Sequence, residues 1–394
     1  MTGGQARKTM PDGSEAAAVR VLDGIGQVTA EAWDACAGAT LSSHAFLSAL
    51  EDSGSATAET GWMPQHLVVE NEDGRVLAAA PLYLKSHSYG EYVFDWSWAE
   101  AYENAGGRYY PKLLSAVPFT PATGRRLLVP PGAPPALADS LAAAMVRLTE
   151  RLGLSSLHVI FPTESEWRRF GAAGFLLRTG QQFHWQNRGY RDFDEFLSAL
   201  SSRKRKAIRK ERRAAAGHGV GFSILTGADI EEKHWDAFHG FYHHTAERKW
   251  GHPYLTREFF FRLGETMAAN VVLVMAAAAG RFVGGALNLL AADTLYGRYW
   301  GSTEAYKFLH FEVCYYQAID FAIEHRLERV EAGAQGPHKL QRGYLPRRTY
   351  SAHWIGNAAL REAVGRYLEV ERAEIETEMR MLTARSPFRS TSII

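Results

Sequence analysis

The sequence predicts a mixed α/β protein, with helices layered on sheets, built from two domains that each contain a mainly antiparallel sheet flanked by helices. Three observations support this prediction. The chain has 394 residues, more than one ordinary hydrophobic core accommodates. Segments with helical periodicity alternate with short β-rich segments. Two segments in different halves of the chain share one hairpin pattern.

Composition and charge exclude several classes of protein. Hydrophobic residues make up 46% of the chain and charged residues 22%, as in a globular protein and unlike a disordered or collagen-like one. The net charge is only +1, so attraction to a polyanion has to come from local clusters of basic residues. The two cysteines, Cys36 and Cys314, are too few for a disulfide framework and too far apart for a CxxC motif.

No segment is long enough to cross a bilayer, and we expect a cytoplasmic protein. The longest apolar run, Val271 to Ala279, is far shorter than the roughly 20 residues that a membrane helix needs. The N-terminal residues include basic side chains but no apolar segment after them, which argues against a secretory signal. We interpret residues 1–24 as a flexible leader.

In the first half, cap and turn residues mark the elements in order. Thr29 is a candidate N-cap of a first helix, and Gly54 a candidate C-cap of a second. HLVVE and RVLAAAPLYLK, joined by a turn with Asp73 and Gly74, predict a hairpin, and EYVFDWSW predicts a further strand. Residues 99–134 form a proline-rich crossover that is expected to line a site. The next segments predict a helix (ALADSLAAAMVRLTERLG), a strand (LHVIF), a helix (SEWRRFGAAG) and a strand pair (FLLRTGQQFHWQN).

The second half begins at Asp192. Its segments predict two helices (DFDEFLSAL and SRKRKAIRKERRAAAGHG), a strand (GFSIL) and a long helix (IEEKHWDAFHGFYHHTAERKW). Three strands follow with short turns between them (VVLVMAAAA, RFVGGALNLL and TLYGRYWG). After them come a helix (LHFEVCYYQAIDFAIEHR), two strands (RVEAG and TYSAHWI) and an amphipathic helix from Ala358 to about Ala384.

An internal repeat supports the division into two domains. HLVVENEDGRVLAAAPLYL aligns with VLVMAAAAGRFVGGALNLL, with Arg75 opposite Arg281. In both segments a strand, a Gly-Arg turn and a strand of small residues follow one another. We therefore predict an N-terminal domain over residues 25–190 and a C-terminal domain over 191–394, the second with a basic helix at 201–216 and the long terminal helix.

The order of elements in the second half resembles the GNAT acyltransferase fold, here present twice, which is typical of the Fem-like family. Several segments are similar to the bacterial Fem-like proteins of peptidoglycan biosynthesis or recognition, among them PLYLKSHSYGEYVFDWSWAEAY, QFHWQN, SSRKRKAIRKER, LYGRYWG, LHFEVCYYQAI and GAQGPHKLQRGYLP. The similarity covers residues 40–375. It implies an N-acyltransferase with tandem GNAT-like domains, in a family that includes the aminoacyl-tRNA-dependent ligases of peptidoglycan cross-bridges.

The densest charge in the sequence lies between Arg203 and Arg213. Eight of these eleven residues are Lys or Arg, and such a run repels itself unless an anion neutralises it or water solvates it as a helix face. Fem-like proteins open their second domain with a basic helix, so the resemblance implies contacts with substrate phosphates or with tRNA. Arg209 is favoured because Ile208 beside it should face the core. The residues expected to bind phosphate are Arg203, Lys204, Lys206, Arg209 and Lys210.

A second group of candidate residues lies between Glu331 and Tyr344. Its glycines permit a sharp turn after a strand. Fem-like ligases carry a lysine in a K-x-x-G-[FY] stretch near the gap between two central strands, and the stretch that begins at Lys339 is similar but one residue longer. The resemblance implies that Lys339 stabilises the oxyanion of the tetrahedral intermediate or the leaving ribose oxygen. We expect substrate contacts from Gln335, Arg342 and Tyr344.

His338 and Glu331 are candidates for accepting the proton of an attacking amine. Histidine titrates near neutral pH, and burial in a cleft can raise the pKa of a carboxylate. A structural role is the alternative for each. His310 and Glu312 do not make a metal motif, since the PCxxC partner is missing, and no GxSxG marks a serine nucleophile. We therefore expect no metal site.

Ionisable and aromatic residues alternate between Lys85 and Trp98. The resemblance to the Fem-like first domain, which binds the amine-bearing acceptor, implies that Glu91 and Asp95 contact an ammonium or hydroxyl group, with Trp96 and Trp98 as walls. A row of amphipathic aromatic residues at a sheet edge is the alternative.

Taken with the resemblance, these features predict an N-acyltransferase in which a substrate amine attacks an activated acyl ester, with no covalent enzyme intermediate and no permanently bound cofactor. Acetyl-CoA enzymes of this fold bind pyrophosphate on a glycine-containing loop at a helix N-terminus, whereas the corresponding loop, Ser302 to His310, has no glycine and carries Glu304. Aminoacyl-tRNA is therefore the favoured co-substrate, and an amine of a small molecule or cell-wall precursor the acceptor. The alternatives are an acyl-CoA- or acyl-carrier-dependent N-acyltransferase and a non-catalytic protein that recognises RNA or peptidoglycan.

Overall fold

The computed structural model describes residues 17–38, 40–217, 219–250, 252–333 and 336–389. In it the chain forms two compact units. The first unit contains the residues up to Gly180 together with Thr349–Glu374, and the second contains Gln181–Arg348 together with the residues from Ile375 onwards. The chain thus passes from one unit to the other three times. The predicted domain boundary between residues 190 and 191 stays a prediction.

Among the described residues, five α-helices and seven strands lie wholly in the first unit. The helices are α1 Ala30–Ala37, α2 His44–Asp52, α3 Trp96–Asn104, α4 Pro135–Arg151 and α5 Glu164–Ala172. The strands are β1 Ala18–Leu22, β2 Trp62–Pro64, β3 His66–Glu70, β4 Val76–Ala80, β5 Tyr83–Lys85, β6 Lys112–Ser115 and β7 Ser156–Ile160. Strand β8, Leu176–Gln186, begins in the first unit and ends in the second.

Side-chain caps explain where several helices begin. Thr29 accepts a hydrogen bond from the backbone N–H of Ala32, which confirms it as the N-cap of α1. Thr163 and Glu166 form a reciprocal capping box at the start of α5. Helix α2 ends at Asp52, two residues before Gly54, which has a φ of +75°.

The first unit contains strands of two sheets. In one sheet β3 lies between β1 and β4, and both pairs are antiparallel. In the other, β2, β5 and β6 are antiparallel neighbours, β6 is parallel to β7, and β7 pairs antiparallel with residues Ser351–Ile355. Helix α4 lies in the connection from β6 to β7, and its buried face packs in a core with residues of both strands, including Leu141, Met145, Leu113 and Leu157.

The remaining elements follow in the second half of the chain. The helices are α6 Phe193–Ala199, α7 Ser202–Ala216, α8 Glu232–Trp250, α9 Arg257–Thr266, α10 Leu309–Phe311, α11 Gln317–Glu324 and α12 Ala358–Ala384. The strands are β9 Val220–Thr226, β10 Val271–Ala278, β11 Arg281–Ala291, β12 Thr294–Ser302, β13 Arg329–Glu331 and β14 Leu345–Ile355. A π-helical turn, Glu312–Tyr316, joins α10 to α11.

The sheet of the second unit opens between β12 and β13. Its strand order is β8-β13-β12-β11-β10-β9, and only β12 and β13 are parallel. These two pair over just three residues, from Thr294 opposite Arg329 to Tyr296 opposite Glu331. Strand β12 continues to Ser302, whereas β13 ends at Glu331. Beyond Tyr296, therefore, β12 is no longer paired with β13.

The repeated hairpin is confirmed in both halves. Strands β3 and β4 pair antiparallel, as do β10 and β11, and the turn glycines Gly74 and Gly280 have positive φ angles of 78° and 74°. Strand β11 is continuous over eleven residues. The corresponding stretch in the first half is interrupted at Pro81, which has no N–H to donate, and is split into β4 and β5 in different sheets.

Two strand predictions are wrong. The predicted strand pair FLLRTGQQFHWQN is one continuous strand, β8. The segment EYVFDWSW forms a loop followed by the start of α3, so Trp96 and Trp98 lie on a helix. The positive φ angles of Gly90 (80°) and Tyr92 (61°) interrupt extended backbone before the aromatic residues. Aromatic β-propensity therefore did not decide the local structure. Helix α9 was not predicted, whereas the bounds of the terminal helix α12 agree with the prediction.

Candidate active site

Lys339 lies in a 3-10 helix, Pro337–Arg342, that follows the opening between β12 and β13. Its side chain is buried, and Nζ donates a hydrogen bond to the backbone oxygen of Gly333 at 3.0 Å. Burial and, to a smaller extent, the positive charge of Arg298 lower the pKa of Lys339 to about 8. A lysine with a pKa in this range is charged at neutral pH, as an oxyanion-stabilising group requires. It also gives up a proton readily, as an acid requires.

Glu331 is the last residue of β13 and has 3% of its surface exposed. In the sheet register it lies opposite His184 of β8 and Tyr296 of β12. Its Oε1 is 3.8 Å from Nδ1 of His184 and 3.7 Å from Nε of Arg329, and its Oε2 has no hydrogen-bond partner among the described residues. Burial raises the pKa of Glu331 to about 7, against the opposing charges of Arg298 and Arg329.

Two further residues, Arg298 and His184, belong with Glu331 and Lys339. The sequence analysis identified neither of them. Asn288 pairs with Gly297 and Leu287 with Tyr299, so Arg298 is the extra residue of a β-bulge. Burial lowers the pKa of His184 to about 3, so its ring is neutral. The available signal was a polar side chain at alternate positions of the segment QFHWQN, which directs His184 to one face of its strand.

The structure places His338 in an aromatic cluster. Its Nε2 hydrogen-bonds to the hydroxyl of Tyr315 at 2.9 Å, and its ring centroid is 5.6 Å from that of Phe311 and 5.8 Å from that of His310. Tyr344 has no exposed surface, and its hydroxyl donates to the backbone oxygen of Tyr315 at 3.4 Å. Gln335 lies outside the described residues.

Arg342 connects the segment that carries Lys339 to helix α7. One of its terminal nitrogens donates to Glu211 of α7 at 2.9 Å, and the other to the backbone oxygen of His338 at 2.7 Å. The guanidinium also lies 3.3 Å from the ring centroid of Phe311. The inner face of α7 is thus bonded to the candidate catalytic segment by a side-chain ion pair.

Helix α7 carries an exposed row of basic side chains on its outer face. Ile208 is buried, as predicted, while Arg212 pairs with Glu312 at 2.9 Å and with Asp320 at 2.7 Å. Arg209 pairs with Asp194 at 2.7 Å, and Lys204 is half-buried. The outer row, which we call the basic stripe, is formed by Arg203, Lys206, Lys210 and Arg213.

The spacing of the basic stripe places its four side chains on one side of the helix. They are separated by three, four and three residues, which keeps them on one face over about 15 Å at 1.5 Å per residue. None of the four forms an ion pair with another described residue. The predicted phosphate contacts of these residues, and those of Lys204 and Arg209, stay predictions.

In the first unit, Lys112 lies at the centre of a buried polar network. Its Nζ donates to Ser88 at 2.7 Å, to Glu91 at 2.9 Å and to Asp95 at 2.5 Å. Burial raises the pKa of Glu91 to about 7. Burial also acts to raise the pKa of Asp95, but the ammonium of Lys112 outweighs it, and that pKa is lowered. Lys112 therefore already supplies a cation to both predicted acceptor-binding carboxylates.

The network continues through two histidines. Asp95 accepts a hydrogen bond from Tyr109 at 2.7 Å and lies 3.6 Å from Nε2 of His158. Nδ1 of His158 lies 2.7 Å from Nδ1 of His353, and burial lowers the pKa of both rings. The sequence feature that could have revealed this network is a single charged or imidazole side chain among the apolar residues of a strand, as at Lys112.

The two predicted wall residues differ in exposure. Trp98 is buried, and its ring lies 4.9 Å from that of His353. Trp96 is 39% exposed and is 4.9 Å from the ring of Tyr89, which is 58% exposed. Of the two tryptophans, Trp96 is the one that offers a surface to a ligand. The acceptor contacts predicted for this region are not tested by this geometry.

Two further observations concern metal-type clusters and membrane helices among the described residues. Within them, no three His, Cys, Asp or Glu side chains come together in an arrangement suited to a metal ion. None of their helices combines the length and the apolar composition that a membrane crossing demands.

The comparisons with known proteins agree with the sheet geometry. The FemAB-like family, described as peptidoglycan biosynthesis/recognition, matches residues 24–390. The chain is similar in structure to FemX, with a TM-score of 0.50 and 13% identity over 80% of this chain and 93% of that one. It is also similar to L-PGS from Bacillus licheniformis, with a TM-score of 0.50 and 10% identity over 82% and 95%.

A third similar structure is a tandem GNAT protein from the clavulanic acid biosynthesis pathway, with a TM-score of 0.40 and 14% identity over 76% of this chain and 85% of that one. No curated protein matches the chain in sequence. Because the family match extends over nearly the whole chain, the chain belongs to the FemAB-like family, and it shares the fold of FemX and of L-PGS.

Proposed function

We propose that this protein transfers an aminoacyl group from an aminoacyl-tRNA to a substrate amine and so forms an amide bond. One observation carries the proposal. The basic stripe lies on the outer face of α7, while the inner face of the same helix is bonded through Glu211 and Arg342 to the segment that holds Lys339. A helix that presents unpaired cations outwards and supports a reactive lysine inwards suits a donor with a phosphate backbone and an activated ester at its end.

The groups at the end of β13 suit direct aminolysis of that ester. The amine nitrogen attacks the ester carbonyl carbon, and the oxyanion that forms is stabilised by the ammonium of Lys339. Glu331 takes the proton that the amine nitrogen loses, through Oε2, for which the described part of the chain supplies no hydrogen-bond partner. The bond from the carbonyl carbon to the ribose oxygen then breaks, and that oxygen receives a proton from Lys339 or from Glu331. No covalent enzyme intermediate and no bound cofactor are required.

An acyl-CoA donor is the alternative that shares this chemistry. The loop that would hold a pyrophosphate precedes α10, a helical turn of only three residues. Glu304 in this loop is 42% exposed at its side chain and lies 3.6 Å from Arg281, so a carboxylate is present where an anion would bind. This arrangement disfavours CoA relative to tRNA, because a phosphate near a carboxylate is repelled.

The acceptor is proposed only as a class, an amine of a small molecule or of a cell-wall precursor. The FemAB-like family description names peptidoglycan biosynthesis or recognition. If the first unit binds the acceptor, Trp96 offers it an exposed aromatic surface.

The function is tested by incubating the protein with a mixed pool of radiolabelled aminoacyl-tRNAs and candidate amines. We expect label to move into an RNase-resistant amide product, and we expect RNase treatment of the donor beforehand to abolish transfer. Transfer that survives RNase, or that is inhibited by free CoA, would identify the acyl-CoA alternative. A complete lack of transfer with RNA binding intact would favour a recognition protein.

A further inference from the structure

The environment of His184 defines which of its ring nitrogens carries the hydrogen. Its Nε2 lies 3.3 Å from Oε1 of Gln182, an oxygen that can only accept a hydrogen bond. Burial, together with the nearby charges of Arg329 and Arg347, lowers the pKa of His184 to about 3, so the ring has a single hydrogen. That hydrogen is on Nε2, and Nδ1 therefore presents a lone pair.

This lone pair faces Glu331. Nδ1 of His184 is 3.8 Å from Oε1 of Glu331, and the two residues are directly opposite in the antiparallel register of β8 and β13. A lone pair next to a carboxylate favours the protonated carboxyl group, which can donate to it, over the ionised form, which cannot. His184 thus acts on Glu331 in the same direction as burial.

Of the other groups around Glu331, some raise the pKa of its carboxyl group and some lower it. Arg329 on its own strand and Arg298 on β12 favour the ionised carboxylate, whereas Asp293 opposes it. Tyr296 on β12 also faces the carboxylate, and its pKa is raised by burial and by Glu331. The two arginines therefore oppose the effect of burial and make the carboxylate a weaker base.

We propose that His184 is a positioning residue that adds to the effect of burial and so increases the proton affinity of Glu331 as a general base, by presenting its Nδ1 lone pair to the carboxyl group. Gln182 is part of the same device, because it holds the hydrogen on Nε2. The inference rests on the proposed function in one respect, namely that Glu331 accepts the proton of the attacking amine. The state of the carboxyl group itself can be measured without any substrate.

The test follows the protonated carboxyl band of Glu331 by infrared difference spectroscopy across a pH series. The band is assigned as the one that Glu331→Gln removes. His184→Asn can turn an amide N–H towards the carboxylate, and we expect the midpoint of the band to move to lower pH by on the order of one unit. Gln182→Met leaves His184 unaltered but removes the acceptor for Nε2, so the ring is free to donate from Nδ1. We expect the midpoint of the Glu331 band to move to lower pH in this variant too.

Glu91 provides the control. It is as buried as Glu331 and its pKa is also raised to about 7, but it faces Lys112. Its band, assigned with Glu91→Gln, should keep its midpoint in both variants. Unchanged midpoints for Glu331 in both variants, or equal shifts for Glu331 and Glu91, would overturn the proposal. If the protein transfers no aminoacyl group at all, the proposed function fails while the infrared result still decides the role of His184.

Discussion

The role of Lys339 depends on one buried ammonium group. We expect Lys339→Ala to lower single-turnover aminoacyl transfer by a factor of about 10² to 10³, the range for loss of one oxyanion-stabilising group, without unfolding the protein. Rapid-quench measurement with saturating donor checks this, and far-ultraviolet circular dichroism checks the fold. Lys307→Ala is the control, since Lys307 is exposed. A rate within a few-fold of the unmodified protein would remove Lys339 from the reaction.

The pH dependence of transfer follows from two residues. Glu331, with a pKa raised to about 7, must be ionised to accept a proton, so the rate should fall below pH 7. Lys339, with a pKa lowered to about 8, must be charged to stabilise the oxyanion, so the rate should also fall above pH 8. We expect a bell-shaped profile, and Glu331→Gln should remove its acidic limb. A profile whose acidic limb is the same in Glu331→Gln would assign the proton transfer to another group.

At the scale of elements, the basic stripe predicts how binding responds to salt. Each phosphate contact contributes about 0.9 to the slope of log affinity against log salt for a duplex. Replacing Lys206 and Lys210 together with glutamine should therefore flatten the slope by nearly twice that amount and weaken tRNA binding. Filter binding across a salt series measures both. Lys233→Gln, which changes an exposed lysine on α8 paired with Glu231, should leave the slope unchanged.

The comparison of slopes also separates the stripe from the rest of α7. Arg209 is paired with Asp194, so Arg209→Gln should change the slope less than Lys206→Gln or Lys210→Gln alone. An unchanged slope after the double replacement would make the stripe a solvated helix face and would leave the tRNA donor without its main support.

Elements were more predictable from the sequence than sites. Turn glycines and caps are local signals, so the hairpins at Gly74 and Gly280 and the N-cap Thr29 could be predicted. The loop before Trp96 could not be predicted, because its aromatic residues favour a strand. In the structure this segment instead places Glu91 and Asp95 in buried hydrogen bonds with Lys112. The register of β13 places Glu331 opposite His184, which lies 147 positions earlier in the chain, and no local pattern contains that pairing.

The same limit applies to the candidate sites. The predicted residues Glu331 and Lys339 lie eight positions apart, the first at the end of β13 and the second in the 3-10 helix that follows, so the sequence alone places them in one segment. Arg298 joins them only through a bulge in β12, which depends on the pairing with β11. The catalytic and binding roles assigned to these residues stay predictions until the experiments above are done.

At the scale of the whole molecule, stability depends on how its buried charges are paired. Lys112→Met leaves the carboxylates of Glu91 and Asp95 buried without their shared cation, and we expect the free energy of unfolding to fall by about 3–5 kcal/mol. Lys85→Met is the matched control. Lys85 is equally buried, but burial lowers its pKa to about 7, and its Nζ makes one hydrogen bond, to the backbone oxygen of Tyr89. Lys85→Met should therefore lower the free energy of unfolding by about 1.5 kcal/mol or less.

The cause of the larger loss can be separated from a simple packing defect. Adding Glu91→Gln and Asp95→Asn to Lys112→Met removes the two carboxylate charges along with their cation, and this should recover most of the lost stability, because an unpaired buried charge costs more than a neutral polar group. Urea unfolding at pH 7, followed by tryptophan fluorescence, measures all the variants. Equal losses for Lys112→Met and Lys85→Met, or no recovery in the triple variant, would show that the network contributes through packing and not through charge.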